Sequence, residues 1–255
     1  FEKLKFVYDA AVAALVLKAA GKQKEAEKIL DYFADRLAIP IKEVIPYADT
    51  NGIAGILKVW KTDSFNVRGL INALDRTSTK PRGQGMLEYY STPGPMSFIV
   101  MGFLNVNKER YLPVAVELGN ALLSLQRPDG GLKDGDRSPN RVHIEPHMDA
   151  FATFLQLYKA TNDTKWKTAA EKAWQFFIKS DAYHPQEGII WQGIWEFGTN
   201  KTFATDAYSW TMAGPGGDRM SLFELEKFTE TMLSKSLTQV TLELPDGKTR
   251  TVTLV

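Results

Sequence analysis

The chain has 255 residues, 44% of them hydrophobic, no cysteine, and 31 Lys and Arg set against 30 Asp and Glu. That apolar share supplies a substantial core for one large domain or two small ones, and the near-even charge offers no field to draw nucleic acid or an anionic membrane surface. Lack of cysteine removes thiolate chemistry and suits either redox compartment, with an extracytoplasmic one preferred.

From Glu2 to Ala20 the stretch "YDAAVAALVLKAAG" is apolar on every side, which predicts a helix buried all round and stopped by Gly21 in the left-handed region. The next, "KQKEAEKILDYFADRL", carries one stripe of Ala26, Ile29, Leu30, Phe33 and Leu37 and reads as a surface helix. Residues 39–91 break the pattern: rich in glycine, threonine and aromatics, they read as a long excursion with short strands. Inner-type "GPMSFIVMGFLNV" and outer-type "KERYLPVAVELGNALLSLQ" follow, parted at Asn107-Lys108. Then "MDAFATFLQLYKAT" precedes "DTKWKTAAEKAWQFFIKS", where Asp163 is the expected N-cap and Trp166, Ala170, Ala173 and Phe177 the buried stripe, Trp174 joining the core. "TDAYSWTMAG" passes through "PGG" into "DRMSLFELEKFTETMLSK". The end, residues 237–255, alternates apolar and polar about Asp246-Gly247, a β-hairpin signal. It stops inside an apolar strand and the chain starts at Phe1, so a trimmed chain that continues further is expected. No window reaches the ~18 uninterrupted apolar residues of a membrane span, so no membrane insertion is expected.

Three inner-type helices open alike, "YDAAVAAL" at Asp9, "MDAFATFL" at Asp149 and "TDAYSWTM" at Asp206. Such repetition predicts a helical array or closed toroid. An aspartate in a first helical turn is also favoured by the helix dipole alone, so each has a purely structural alternative.

The alternating helices, Tyr8-Asp9, "STPGPMSF", "LLSLQRPDGGLKDGD", "EPHMDAFATF" and "FATDAYSW" together resemble bacterial members of the (α/α) toroid superfamily, the six-hairpin glycosidase-like proteins. The resemblance implies an all-α fold: a single toroid domain over 1–255, here a partial ring of four hairpins, with the β excursion and the C-terminal β-hairpin attached. It implies an oligosaccharide or polysaccharide as partner and no cofactor. An open ring also leaves room for association with a missing segment or a second copy.

In a toroid the inner helices present their N-termini at one mouth, which would gather Asp149, Asp206, Glu145 and Asp9, in that order of preference, as a carboxylate acid and base pair. Helix N-termini favour the ionised form and burial beside aromatics the protonated one. His147, Tyr8, Trp191, Trp195, Glu196, Tyr208 and Trp210 are the expected sugar-binding residues, since indole faces pack on sugar rings. The alternative is that the tryptophans plug the end of the barrel. The run "HIEPH" at 143–147 has ligand-type spacing for zinc, but Pro146 divides it between loop and helix, so no metal is expected. Sugar epimerisation through paired histidines would need a second histidine at the mouth beside His147. Asp134 and Asp136, in "QRPDGGLKDGD", read as acids of a solvated turn, the alternative being that they bind a cation or a sugar hydroxyl. Phosphate loops, nucleophile elbows and dinucleotide fingerprints are absent. Three readings remain: a glycoside hydrolase-like enzyme, a non-catalytic module that binds a glycan or protein, and an architectural toroid whose polar mouth is only capping.

Overall fold

The computed structural model describes residues 4–44, 53–54, 56–62, 66–71, 73–75, 91–136, 140–236, 238–243 and 249–254. The "RGQGMLEYY" part of the excursion and the Asp246-Gly247 turn lie outside them.

Strand β1 (Leu4–Phe6) leads directly into helix α1 (Val7–Ala19). Gly21, at φ 75°, ends the helix in a Schellman motif, with the Gly21 N–H on the Lys18 carbonyl at 3.0 Å and the Lys22 N–H on the Leu17 carbonyl at 2.8 Å. Helix α2 (Gln23–Leu37) returns alongside it with Ala26, Leu30, Phe33 and Leu37 buried, as its stripe requires. The excursion forms the short helix α3 (Ile41–Val44), an antiparallel sheet of β2 (Ile53–Ala54), β3 (Leu57–Lys61) and β4 (Asn66–Leu70), and β5 (Ala73–Asp75), which pairs with β1. Two buried cations fasten that sheet to the helices. Lys58 meets Asp136 at 2.5 Å, and Arg68 meets Glu117 and the carbonyls of Leu37 and Ile39.

Helix α4 (Pro93–Ser124) is two helices joined at Asn107, whose backbone is extended (φ −155°, ψ 85°) and whose side chain accepts from the Arg110 N–H at 3.2 Å. The expected break is therefore a kink with its own N-cap. Strand β6 (Val142–His143) feeds α5 (Ile144–Thr161), which stops at left-handed Asn162. Helix α6 (Thr164–Lys179) opens with Asp163 accepting from the Lys165 N–H at 3.0 Å, and buries Trp166, Ala170, Ala173, Trp174 and Phe177. Two small hairpins follow, β7 (Tyr183–His184) with β8 (Ile189–Ile190) and β9 (Gly193–Trp195) with β10 (Gly198–Asn200); β9 also pairs with β6. Helix α7 (Thr205–Met212) and helix α8 (Leu222–Ser236) form the last pair, α8 starting in a capping box between Ser221 and Glu224. Strands β11 (Thr238–Glu243) and β12 (Thr249–Leu254) pair in register from Thr238↔Leu254 to Glu243↔Thr249, the hairpin read from the sequence.

The inner elements α1, first half of α4, α5 and α7 pack side by side in that order, with α2, the second half of α4, α6 and α8 outside them. One expectation fails here. α1 is not buried all round, because it lies at the end of the row, and Val16 on its uncovered side is 61% exposed. No helix among the described residues is long and apolar enough to cross a membrane.

Candidate functional site

Tyr8 marks where the inner helices meet. It stands one residue into α1, its ring 4.5 Å from that of Phe98 on α4, which lies 5.5 Å from Trp210 on α7. Burial raises the Tyr8 pKa, and so do the negative charges of Asp149, Glu145, Asp9 and Asp206. One phenol thus senses all four acids, brought from three helices. Gly94, in the first turn of α4, closes the fourth side, since a methyl group there would stand 3.4 Å from Asp149 Oδ2.

Glu145 and Asp149 are four residues apart on α5, so their carboxyls lie on one face of the helix, one turn from each other. Asp149 is 4% exposed, and its Oδ2 has no hydrogen-bond partner among the described residues. Burial, then the neighbouring Glu145 charge, holds its pKa well above the usual carboxylate range. Burial also pushes Glu145 up to about 7, with the Asp206 charge adding to it. Desolvation and like charge therefore outweigh the helix N-terminus, which acts in the opposite direction. Asp9 and Asp206 are exposed, Asp206 accepting from the Ala207 N–H at 2.7 Å.

Beside this cluster His143 Nδ1 meets Asp134 Oδ1 at 3.0 Å, a hydrogen bond that raises the histidine pKa against the effect of burial. The His143 ring is 5.9 Å from Trp195, over which the Arg141 guanidinium lies at 5.1 Å. The Trp195 indole N–H is buried without a partner among the described residues.

Three solved structures each align with 92% of this chain: a sugar epimerase from a ruminal bacterium (TM-score 0.58, 14% identity, 60% of that chain covered), a D-mannose isomerase (0.56, 10%, 62%) and an α-mannanase of glycoside hydrolase family 76 from Bacteroides thetaiotaomicron (0.55, 10%, 61%). The fold is the (α/α) toroid. The chain spans about three fifths of the length of those toroids. No family model and no curated protein sequence matches it.

Several residues expected at the toroid mouth sit elsewhere. His147 is fully buried: Nδ1 accepts from the Leu132 N–H at 3.2 Å and Nε2–H donates to the Ala173 carbonyl at 2.9 Å. Burial lowers its pKa to about 4. With both nitrogens committed to backbone it braces the 126–132 turn against α6 and has no polar atom to offer a sugar. Tyr208 is likewise core, fully buried between Phe203 and Phe228, its hydroxyl accepting from the Ile190 N–H at 3.0 Å. Trp191 is half-buried with the Lys235 ammonium 5.6 Å from its ring centre, and Glu196 is exposed at the tip of the β9–β10 turn beside Phe197. Asp134 and Asp136 are not a solvated turn. One pairs with His143, and the other accepts from the Ser91 N–H while pairing with Lys58. The tight carboxyl pair is Glu145 with Asp149, a helical i, i+4 spacing visible in the sequence; Phe98 and His143 are the mouth residues that reading passed over.

Proposed function

We propose that this toroid is a carbohydrate-active protein, most simply a glycoside hydrolase, whose acid is the Glu145 and Asp149 pair and whose base is Asp206. The observation that carries this reading is the enclosed Asp149 carboxyl one helical turn from Glu145: burial and like charge hold both toward the protonated form, beside carboxylates that stay open to solvent. In glycoside cleavage one carboxylic acid gives its proton to the departing glycosidic oxygen as the C–O bond breaks. A carboxyl with a pKa near 7 is suited to that step, and an ionised carboxylate can take the proton of the water that attacks the anomeric carbon. The structural neighbours act on sugars by name, as an epimerase, a mannose isomerase and an α-mannanase, which supports a glycan rather than nucleic acid as partner. Epimerisation through paired histidines has less support. His147 is enclosed and His184 is on β7 with its Nε2 on the Asp181 carbonyl, which leaves His143 alone near the acids.

The test is release of reducing sugar from a panel of glycans that includes α-mannan. Glu145→Gln, Asp149→Asn and Asp206→Asn should each lower the rate at least ~100-fold while unfolding curves stay cooperative. Full activity in all three variants overturns the assignment. Binding of a glycan, weakened in Trp195→Ala, with no turnover at any protein concentration would establish the binding module instead.

A further inference from the structure

Ion pairing around the mouth is uneven. Asp134 is matched by His143 and Asp136 by Lys58, while on the outer surface Glu171 takes both arms of Arg219 and Asp31 pairs with Arg110. About Tyr8, none of Asp9, Glu145, Asp149 and Asp206 forms an ion pair among the described residues, although Asp149 is buried and Glu145 half-buried. Two cationic groups on the approach to α5 are engaged, Arg141 lying over Trp195 and His143 held by Asp134.

A second observation is independent of the count of charges. Asp149 Oδ2 is enclosed with no hydrogen-bond partner among the described residues, an arrangement that wastes hydrogen-bonding capacity unless a partner arrives from outside. Alongside stand two half-buried aromatic rings, Tyr8 and Trp210, bridged by Phe98. Faces of phenol and indole attract cations through their quadrupoles, most strongly where water is thinned out.

We propose that the mouth of the toroid is a subsite for a cationic sugar, one bearing a free ammonium, which is held by Asp9, Asp206 and the Glu145–Asp149 pair against the Tyr8 and Trp210 rings. An ammonium brings three donors and no acceptor, the complement of a cluster of carboxylate oxygens. An N-acetylated amine is neutral and bulkier, and a hydroxyl in its place has a single donor. The raised pKa values of Tyr8, Glu145 and Asp149 fit unbalanced negative charge that such a ligand would relieve. This inference rests on the carbohydrate-active reading and narrows it to a substrate class.

Calorimetric titration with glucosamine oligosaccharides, their N-acetylated counterparts and mannose oligosaccharides of equal length separates the two. The expected result is at least tenfold tighter binding of the free-amine series, an advantage that shrinks as salt rises from about 0.05 to 0.5 M. Asp9→Asn, at an exposed position, should weaken the free-amine series about tenfold more than the neutral series. Equal or better binding of mannose or N-acetylated oligosaccharides overturns the cationic subsite and leaves the sugar-active reading intact. No binding by any of the three series overturns both. An Asp9→Asn variant that loses neutral and cationic ligands alike also overturns the subsite, because the residue would then act through structure.

Discussion

Replacing Glu145 by glutamine should stabilise the protein at alkaline pH. In the folded chain burial lifts this carboxyl from 4.5 to about 7, which at about 1.4 kcal/mol per pH unit is worth about 3 kcal/mol. The sign follows from which state holds the proton. Below pH 4.5 both folded and unfolded chains are protonated at Glu145 and nothing is lost; as pH rises through about 7 the unfolded state ionises first and stability drains away. Glutamine does not titrate, so Glu145→Gln should match the wild type near pH 4 and exceed it by about 3 kcal/mol at pH 8, or roughly 6–12 °C in Tm for a domain of this size. The quantity to follow is the difference between variant and wild type, because His147 works in the opposite sense. Its pKa falls from 6.5 to about 4 on folding, so its contribution is present above 6.5 and lost as pH falls toward 4. Thermal unfolding of both proteins at unit intervals from pH 4 to 8 provides the comparison. A difference that does not change with pH, or a variant less stable than the wild type at pH 8, refutes the account of a proton held by burial and like charge.

His147→Phe leaves the Leu132 N–H and the Ala173 carbonyl buried without partners and should cost about 2–4 kcal/mol in denaturant unfolding, with no change in KM per folded molecule; a KM shift would restore the histidine to the mouth. Lys58→Met strands the Asp136 carboxylate and should cost about 3–5 kcal/mol, much of it recovered in Lys58→Met/Asp136→Leu, as a double-mutant cycle would read out. Two glycines at positive φ should respond differently to alanine. At Gly130 (φ 99°) a methyl group would stand 2.1 Å from the Lys172 carbonyl oxygen, whereas at Gly214 (φ 56°) nothing lies within 4 Å. Gly214→Ala should therefore cost about 1 kcal/mol and Gly130→Ala several times that, measured as the shift in unfolding midpoint.

Local rules placed the helices well. The stripe on α2, the Asp163 cap, the Gly21 stop, the break near Asn107 and the pairing of β11 with β12 each depend on side chains a few residues apart, so periodicity and capping chemistry make them readable. The repeated Asp-Ala openings likewise place Asp9, Asp149 and Asp206 near the starts of α1, α5 and α7.

Direction around a helix was harder to read than position along it. His147 and Asp149 are two residues apart and so point to different sides of α5; one faces the 126–132 turn and α6, the other the inner helices, and only the packing of those neighbours reveals which. Tyr208 and Trp210 divide in the same way, the first into the core and the second toward Phe98. Composition, period and caps thus determined by themselves that this chain would build nested helical hairpins with acids at one end. Which acid is enclosed and which cation neutralises a neighbour were decided by tertiary structure, because desolvation and charge pairing depend on atoms that folding alone brings near.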